Sequence, residues 1–311
     1  MICRYTARSP LECEIRSVRL IGSNDSDRSF YHVVIDHKGR YKFESGQYCG
    51  ILPPGRLLMQ TASLGISGIS ERTKRAHSPR SYSLAPVLEE DEVDPSSCFS
   101  LGIRAPFITP TNKSSFRGIC ICSQYLSGAS PGTTVRVTGP FGKFLLAPDD
   151  LQGKRNLLLV ATGTGIVPYM GFLNDLLKAS SQTACDFGRI LLVFGVQSPS
   201  TFIYRTKIEE YISKFKGRLD VISCYSRYGP ISDRCYVQVR FQRVFVTRSQ
   251  DKILMEQDLL KAVCCAGGRE CSIFICGRKS MEEDVLNSLR TVFAGRLSWD
   301  SFLKNIKVEV Y

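Results

Sequence analysis

In the first half of the chain, the spacing of apolar and polar positions is that of short β-strands. Residues 31–36 alternate between the two kinds of side chain, as a half-buried strand does. Proline and glycine punctuate the sequence between such runs, which is typical of a small antiparallel barrel. The further strands predicted in this half are 47–52, 80–84, 98–104 and 134–139, with a short helix over 118–126.

A different pattern begins near residue 156. Short, continuously apolar runs now alternate with longer segments whose apolar positions recur at helical spacing. This alternation predicts a parallel sheet covered by helices on both faces. The predicted strands are 156–161, 189–195, 218–225, 271–276 and 307–311, and the predicted helices are 169–179, 204–215, 251–263 and 280–293.

The change of pattern divides the chain into two predicted domains. Residues 1–150 form the β-barrel domain and residues 151–311 form the α/β domain, with the break in the polar segment 149–154. Each domain also carries a segment without clear periodicity. We interpret residues 53–79 as a long mobile insertion loop and residues 238–257, which are basic, as a second insertion.

Composition narrows the classes of function. The 311-residue chain has 41 basic and 29 acidic residues, and the formal charge of +12 favours an acidic partner or a phosphorylated ligand. No Lys/Arg run or nucleic-acid module is present, so an acidic protein fits this scattered charge at least as well as a nucleic acid. The apolar runs are too short to span a bilayer. The first residues show neither a secretory apolar core nor a Ser/Arg-rich transit segment.

The thirteen cysteines do not follow a metal or disulfide pattern. There is no Cys-x-x-Cys pair, the count is odd, and close neighbours such as Cys120 and Cys122 are unsuited to an ordinary structural disulfide. The three histidines also lack metal-ligand spacing. We therefore expect free thiols in a reducing compartment and no metal site.

The motif GTGIVP at residues 163–168 lies between a predicted buried strand and a predicted helix. Its glycines allow the backbone to approach a phosphate, Pro168 suits a first helical turn, and the helix N-terminus favours an anion. The motif is neither a Walker loop nor a complete dinucleotide fingerprint. A tight strand-to-helix turn without a ligand is the alternative interpretation.

Ser226 and Arg227 end a predicted strand, at the level where the ribose of a nucleotide lies in such sheets. Arg234 follows closely, and two guanidinium groups can pair with a phosphate dianion. Tyr236 offers a ring on which adenine can stack. No acidic residue stands next to Ser226, so NADP is favoured over NAD. Ordinary surface charge is the alternative interpretation of the two arginines.

Four further motifs complete an ordered set. They are Arg80-Ser81-Tyr82-Ser83, CSQYL at 122–126, TGPFGK at 138–143 and CGRKSM at 276–281, followed by a terminal strand that ends in Tyr311. From about residue 11 to residue 311, this set resembles the plant-type ferredoxin–NADP reductases. The stretch from Tyr31-His32 through GQYCGILP at 46–53 looks most like the reductases of apicomplexan relict plastids. The resemblance implies an FAD-binding antiparallel β-barrel followed by an NADP-binding α/β domain with a parallel sheet.

The resemblance implies noncovalently bound FAD. Arg80 would neutralise the pyrophosphate, Tyr82 would lie along the ring system, and Ser83 would hydrogen-bond the reactive flavin nitrogen. The terminal ring would cover the flavin. The residues assigned to FAD in this way are Arg80, Ser81, Tyr82, Ser83, Arg104, Cys120, Ile121, Cys122, Ser123 and Tyr311.

The resemblance also implies NADP(H) bound across the second domain. Nicotinamide would displace the Tyr311 ring, Cys276 would contact its reactive carbon, and Glu309 would relay a proton toward Ser83. These four residues form the implied catalytic set. The residues assigned to NADP are Thr164, Gly165, Ser226, Arg227, Arg234, Tyr236, Gln238, Gly277 and Met281.

As a whole, the resemblance implies electron transfer between NADPH and an acidic plant-type [2Fe-2S] ferredoxin. The expected compartment is the stroma of a non-photosynthetic, apicoplast-like plastid. We expect a monomer, with no nucleic acid as partner and no membrane span. An NADPH-dependent reductase serving a flavodoxin, a cytochrome or a monooxygenase is the alternative within this fold. A non-enzymatic, basic nucleic-acid-binding protein is the alternative outside it.

Overall fold

The computed structural model describes residues 5–23, 28–60, 72–106, 121–182, 187–230, 234, 237, 263–264, 268–292 and 303–311. Within these ranges the chain forms a barrel and a parallel sheet, which confirms the predicted fold class. No helix in the described part of the chain is long and apolar enough to cross a membrane.

The barrel is built from six strands. They are β1 (Leu11–Ser23), β2 (Arg28–Asp36), β3 (Tyr48–Leu52), β6 (Arg80–Ala85), β7 (Cys98–Pro106) and β8 (Thr134–Phe141). All pair antiparallel, and the closed order is β1-β2-β7-β6-β3-β8. The predicted short helix is observed as α1 (Ile121–Ser127), and residues 118–120 lie outside the described residues.

Strand β2 is buried on both faces, so its prediction as a half-buried strand was wrong. Val33 and Ile35 point into the barrel core, and both are fully buried. His32, whose side chain points the other way, is also fully buried because it contacts Tyr204 of the second domain. The second face of β2 is covered by the other domain. The alternation of residues within the strand does not encode this packing.

Strand β1 was not predicted from the sequence. Its first residues, Leu11, Cys13 and Ile15, do alternate toward the core. The pairing with β2 then shifts register between Ile15 and Ser17, as at a β-bulge. A bulge reverses the side-chain parity along a strand, and this reversal hides the strand from a simple period of two.

The segment 53–79 contains regular structure, which corrects its interpretation as a loop. Strands β4 (Arg56–Gln60) and β5 (Arg72–Ala76) pair antiparallel in a two-stranded sheet of their own. Residues 61–71, between the two strands, lie outside the described residues. Neither RLLMQ (56–60) nor RTKRA (72–76) alternates between apolar and polar residues, so no period of two marked this hairpin in the sequence.

The second domain contains a five-stranded parallel sheet. Its strands are β9 (Asn156–Thr162), β10 (Ile190–Val196), β11 (Leu219–Tyr225), β12 (Cys271–Gly277) and β13 (Ile306–Val310). Their order is β11-β10-β9-β12-β13, and every adjacent pair is parallel. The chain therefore adds strands first on one side of β9 and later on the other. Such a reversal makes the end of β9 a topological switch point, where ligands bind in open α/β sheets.

Helices cover both faces of this sheet, as predicted. The helices are α2 (Pro148–Leu151), α3 (Val167–Gln182), α4 (Arg205–Lys214) and α5 (Lys279–Val292). Residues of α3 and α4 belong to the apolar cluster on one face, and residues of α5 belong to the cluster on the other. The second insertion, 238–257, and nearly all of the predicted helix 251–263 lie outside the described residues.

Residues of both domains pack in one apolar cluster at their junction. Barrel residues Phe30, Leu88 and Phe144 pack in the same cluster as Val167 of α3. Gly102 of β7 lies directly at this contact, since a Cβ there would be 2.4 Å from a methyl group of Val167. The two domains are therefore in direct, close-packed contact at Gly102 and Val167.

A buried polar network also joins the domains. His32 lies between the Tyr204 hydroxyl, at 3.0 Å from Nδ1, and a carboxylate oxygen of Asp91, at 2.9 Å from Nε2. The other carboxylate oxygen of Asp91 accepts a hydrogen bond from Arg19 at 3.2 Å. Burial acts to raise the pKa of Asp91, but hydrogen bonds from His32 and the Leu88 amide hold this pKa below its ordinary value. The charged carboxylate is thus the form that the folded state favours.

Replacing Asp91 by asparagine is expected to lower the free energy of unfolding at pH 7 by about 2–4 kcal/mol, because the variant leaves buried donors without their charged acceptor. A depressed pKa stabilises the fold above the unfolded-state pKa, and this contribution is lost as pH falls through the folded-state pKa. The gap between wild type and Asp91→Asn should therefore narrow in acid. Urea unfolding at neutral and acidic pH measures it.

Glu90→Gln is the matched control for Asp91→Asn. Glu90 also accepts a hydrogen bond from Arg19, at 2.9 Å, but 53% of its side chain is exposed. Its loss should change the free energy of unfolding by less than about 1 kcal/mol. Equal effects of the two substitutions would show that the buried network does not stabilise the domain contact.

Candidate active site

The glycine loop follows β9 as a 3-10 turn, Gly163–Ile166, and leads directly into α3. Gly163 has a φ of +55°, a left-handed conformation that glycine adopts without strain. At Gly165, a Cβ would lie 2.2 Å from the carbonyl oxygen of Cys276, so no side chain fits. The loop is therefore pressed against the end of β12.

The hydroxyl group of Tyr311 is bound to this loop. It accepts a hydrogen bond from the Gly165 amide at 3.0 Å and donates one to the Thr162 carbonyl at 2.7 Å. The Tyr311 amide donates to the Gly277 carbonyl at 3.1 Å, which continues the pairing of β13 with β12 beyond the last strand residue. The Tyr311 hydroxyl thus occupies the Gly165 amide, which the sequence analysis assigns to a nucleotide phosphate.

The environment of Tyr311 differs between its two ends. Burial of the hydroxyl end and the nearby Cys276 raise the pKa of Tyr311 to about 12. The residue as a whole is nevertheless 60% exposed. An exposed aromatic face next to an anchored hydroxyl can stack on a flat partner.

Ser83, Cys276 and Glu309 converge beside this ring. Cys276 of β12 is directly opposite Glu309 of β13 in the parallel register. Ser83 of β6 reaches across from the barrel, and its hydroxyl donates a 3.0 Å hydrogen bond to Glu309 Oε1. The structure therefore brings together all four residues of the implied catalytic set, from both domains.

Both acids of this group are shifted toward their neutral forms. Burial raises the pKa of the Cys276 thiol well above its ordinary value, and the charge of Glu309 adds to the shift. Burial also raises the pKa of Glu309, which the hydrogen bond from Ser83 only partly offsets. A carboxyl group with a raised pKa can hold and release a proton nearer neutral pH than an exposed glutamate.

Replacing Glu309 by glutamine is expected to make stability less dependent on pH. A carboxyl whose folded-state pKa is raised contributes stability below its unfolded-state pKa, and this contribution is lost as pH rises through the folded-state pKa. The variant, which cannot ionise, should therefore melt at a higher temperature than wild type at pH 8 but not at pH 4. Thermal melts at both pH values measure this difference; equal pH profiles would contradict burial of a titrating carboxyl.

A cleft of about 430 Å³ lies beside the terminal ring, at the carboxyl ends of β9 to β12. Arg104 of β7, Arg227 after β11 and Arg278 after β12 all line it. Among the described residues of its wall, Asp284 of α5 is the one that is acidic. Three guanidinium groups against one carboxylate give the cleft a positive balance, which suits an anionic ligand.

Four of the nine residues assigned to NADP from the sequence line this cleft. Gly165 packs against the Cys276 carbonyl. Gly277 packs against Thr162 and Met281, where a Cβ would be 2.4 Å from each side chain. Arg234 is exposed and donates to the Gly229 carbonyl at 3.2 Å. Tyr236 and Gln238 lie outside the described residues. The assigned residues that line the cleft are Thr164, Ser226, Arg227 and Met281.

Most of the residues assigned to FAD lie on β6 and α1, whereas Arg104 lies on β7 and Tyr311 follows β13. Arg80, Ser81, Tyr82 and Ser83 follow one another on β6, with Arg80 and Ser81 exposed and the other two half-buried. In α1, Ile121 is half-buried and Cys122 and Ser123 are buried, while Cys120 lies outside the described residues. Arg104 lines the nucleotide cleft, with its guanidinium carbon 5.8 Å from the centre of the Phe30 ring.

Sequence reasoning missed several residues that line the cleft. Arg278 had a signal, since it directly follows the Cys276-Gly277 motif and is basic. Phe30 had none, because it lies on β2 in the other domain. The lining residues that were not assigned are Phe30, Thr162, Gly163, Gly195, Val196, Gln197, Thr201, Cys224, Val237, Arg278, Ser280 and Asp284.

Comparison with known proteins agrees with this architecture. A family model described as an oxidoreductase NAD-binding domain matches residues 159–287. The chain is 27% identical to the root-type ferredoxin–NADP reductase of Nicotiana tabacum, over 99% of this chain and 77% of the relative. It is 26% identical to the chloroplastic ferredoxin–NADP reductase of Chlamydomonas reinhardtii, over 99% and 82%. The solved ferredoxin–NADP reductase of Plasmodium falciparum superposes with a TM-score of 0.71 at 24% identity, covering 100% of this chain and 99% of that one.

The fold and the site define a two-domain, nucleotide-dependent oxidoreductase. More narrowly, the matches confirm the resemblance to plant-type ferredoxin–NADP reductases over the whole chain.

Proposed function

We propose that this enzyme carries electrons between NADPH and a ferredoxin through bound FAD. The observation that carries the proposal is the terminal tyrosine. Its hydroxyl is bound to the glycine loop, while the residue as a whole is largely exposed and lies close to Cys276. A flat cofactor that stacks on Tyr311 accounts for its exposure. A nucleotide that competes for the glycine loop accounts for the position of its hydroxyl.

The second domain fits the phosphates of NADP(H). The Gly165 amide is a backbone donor at the start of a helix, and Arg227, beside Ser226, is exposed at the mouth of the cleft. A related solved structure, of the Plasmodium falciparum reductase, contains 2′-phospho-AMP. We assign Arg227 and Ser226 to the 2′-phosphate and the loop amides to the pyrophosphate. Tyr311 has to leave the loop before the Gly165 amide can bind a phosphate.

The barrel edge fits a flavin. Strand β6 presents an arginine, two serines and a tyrosine in sequence, and Ser83 meets Glu309 where the two domains join. We assign Arg80 to the flavin pyrophosphate, Tyr82 and Tyr311 to the two sides of the ring system, and Ser83 to its polar edge. When bound, FAD supplies the exchange between two-electron and one-electron chemistry.

The polar pair at the domain junction is suited to moving a proton. Glu309 has a raised pKa and already accepts the hydroxyl hydrogen of Ser83. Cys276 is buried and largely protonated because burial raises its pKa, so it acts by packing and position rather than as a nucleophile. We assign proton relay to Glu309 through Ser83, and orientation of the nucleotide to Cys276.

The relatives and the charge support a partner and a compartment. The relatives are named as ferredoxin–NADP reductases, most of them chloroplastic. The formal charge of +12 favours an acidic protein through steering. We propose an acidic plant-type [2Fe-2S] ferredoxin as partner, and the stroma of a non-photosynthetic, apicoplast-like plastid as compartment. NADPH would then be the electron donor.

Cofactor content tests the enzyme class first. The purified protein should be yellow, release FAD on denaturation, and reduce ferricyanide with NADPH much faster than with NADH. A colourless protein whose affinity for nucleic acid depends on salt would overturn the proposal and support the nucleic-acid-binding alternative. Ferricyanide reduction without any response to ferredoxin would support a reductase for another acceptor.

A further inference from the structure

The last strand carries two of the four catalytic residues at the edge of the described sheet. Strand β13 pairs with β12 alone among the strands that the structure describes. Side chains alternate along a strand, so Lys307, Glu309 and Tyr311 share one face. The register sets Lys307 opposite Phe274 and Glu309 opposite Cys276. Any movement of Lys307 along or away from the sheet therefore also moves the two functional residues.

Lys307 ties this face to the junction of the domains. Its ammonium donates a 2.6 Å hydrogen bond to the carbonyl oxygen of Leu145. The same nitrogen is 5.2 Å from the centre of the Phe274 ring, within the range of a cation–π interaction. Leu145 belongs to the segment that leads from β8 into the second domain. Lys307 thus bridges two parts of the chain that are distant in sequence.

Both anchors of Lys307 are held in place by other contacts. The Phe274 ring packs edge-on against Phe144 and Phe172, at 5.3 and 5.1 Å between ring centres. Asp150, at the end of the linking segment, accepts a 2.6 Å hydrogen bond from Ser272 of β12. Through the Phe274 ring and the Leu145 carbonyl, Lys307 gives strand β13 a defined position. Among the described strands, β13 otherwise pairs with β12 alone.

We propose that Lys307 is a positioning residue that sets how firmly Tyr311 closes the glycine loop. The inference rests on the proposed function, because it concerns access of NADP(H) to that loop. The hydroxyl of Tyr311 and a nucleotide phosphate need the same Gly165 amide. Nucleotide affinity is reduced by the fraction of molecules in which that amide is occupied. Lys307 raises this fraction by holding β13 in place.

Binding of NADP⁺ to the holoenzyme, measured by calorimetry, tests the proposal. Lys307→Met keeps the aliphatic stem and removes the ammonium, and it should tighten NADP⁺ binding roughly three- to tenfold, which is less than the full effect of one charge-assisted hydrogen bond because Lys307 acts on the loop only through β13. Adenosine 2′-monophosphate, which has no group that reaches the glycine loop, should bind equally to both proteins. Lys307→Arg, which keeps a charged donor, should retain most of the wild-type affinity.

Lys304→Met is the matched control. Lys304 is exposed just before β13, and its loss changes the net charge equally. In a Tyr311→Ser background, Lys307→Met should have no further effect on NADP⁺ binding, since the ring that Lys307 positions is gone. If Lys307→Met does not fold, Lys307→Gln, which keeps a neutral donor, should show the same direction of change.

The outcomes separate this inference from the proposed function. If wild type binds NADP⁺ and Lys307→Met behaves like Lys304→Met, the role of Lys307 is overturned and the function stands. Additive effects in the Tyr311→Ser background, or equal shifts for both ligands, would mean that Lys307 is only structural and would also overturn it. If wild type itself does not bind NADP⁺, the proposed function fails.

Discussion

Tyr311→Ser is expected to bind NADP⁺ at least about tenfold more tightly than wild type and to turn over more slowly. Wild type breaks the hydrogen bonds of the Tyr311 hydroxyl to Gly165 and Thr162 before a phosphate can use the loop. Two hydrogen bonds with net values near 1 kcal/mol each correspond to roughly ten- to thirtyfold in affinity. Turnover should fall because, without the Tyr311 ring to displace it, the bound nucleotide leaves slowly. Calorimetry and steady-state kinetics measure the two effects.

Tyr311→Phe separates the hydroxyl from the ring. It removes both loop hydrogen bonds but keeps an aromatic face beside Ser83, so affinity should rise while turnover stays closer to wild type. Val310→Ala, a change of the neighbouring exposed side chain, serves as the control for disturbance of the terminus. If NADP⁺ affinity is unchanged in both tyrosine variants, Tyr311 does not compete for the glycine loop.

Arg227→Ala is expected to weaken NADPH binding by about 1.5–3 kcal/mol, the range of hydrogen bonds to charged groups. The guanidinium of Arg227 lies at the mouth of the cleft beside Ser226, where a 2′-phosphate would approach. NADH lacks that phosphate, so its affinity should hardly change. The preference for NADPH over NADH should therefore drop roughly ten- to hundredfold in kcat/KM.

Arg136→Ala controls for the loss of one positive charge. Arg136 is exposed on β8 of the barrel and does not line the nucleotide cleft. Its removal should weaken NADPH only slightly and should not alter the ratio of NADPH to NADH activity. An equal loss for the two nucleotides in Arg227→Ala would contradict the phosphate role of this arginine.

The fold was largely predictable because its signals are local. Continuous apolar runs such as Ile190–Val196 are buried on both faces, and the sequence marks them plainly as parallel strands. Strand β1 escaped prediction because a register shift after Ile15 breaks its alternation. The hairpin β4–β5 escaped because neither strand alternates between apolar and polar residues.

The candidate site was predictable where one motif forms it. Gly165 is a glycine because Cys276 of β12 leaves no space for a side chain, and the motif around it could be read from the sequence. Contacts between distant segments could not be derived in this way. The bridge from Lys307 to Leu145 joins residues 162 positions apart, and that between His32 and Tyr204 joins residues 172 apart. Neither pair has a sequence spacing that signals it.

An assay of cytochrome c reduction measures whether the protein transfers electrons between NADPH and ferredoxin. Cytochrome c reduction by the purified flavoprotein with NADPH should be slow alone and strongly stimulated by a plant-type [2Fe-2S] ferredoxin, with little activity from NADH. The stimulation should decline as salt screens the charge of +12. Full activity without ferredoxin, or no response to it at any salt concentration, would contradict the account.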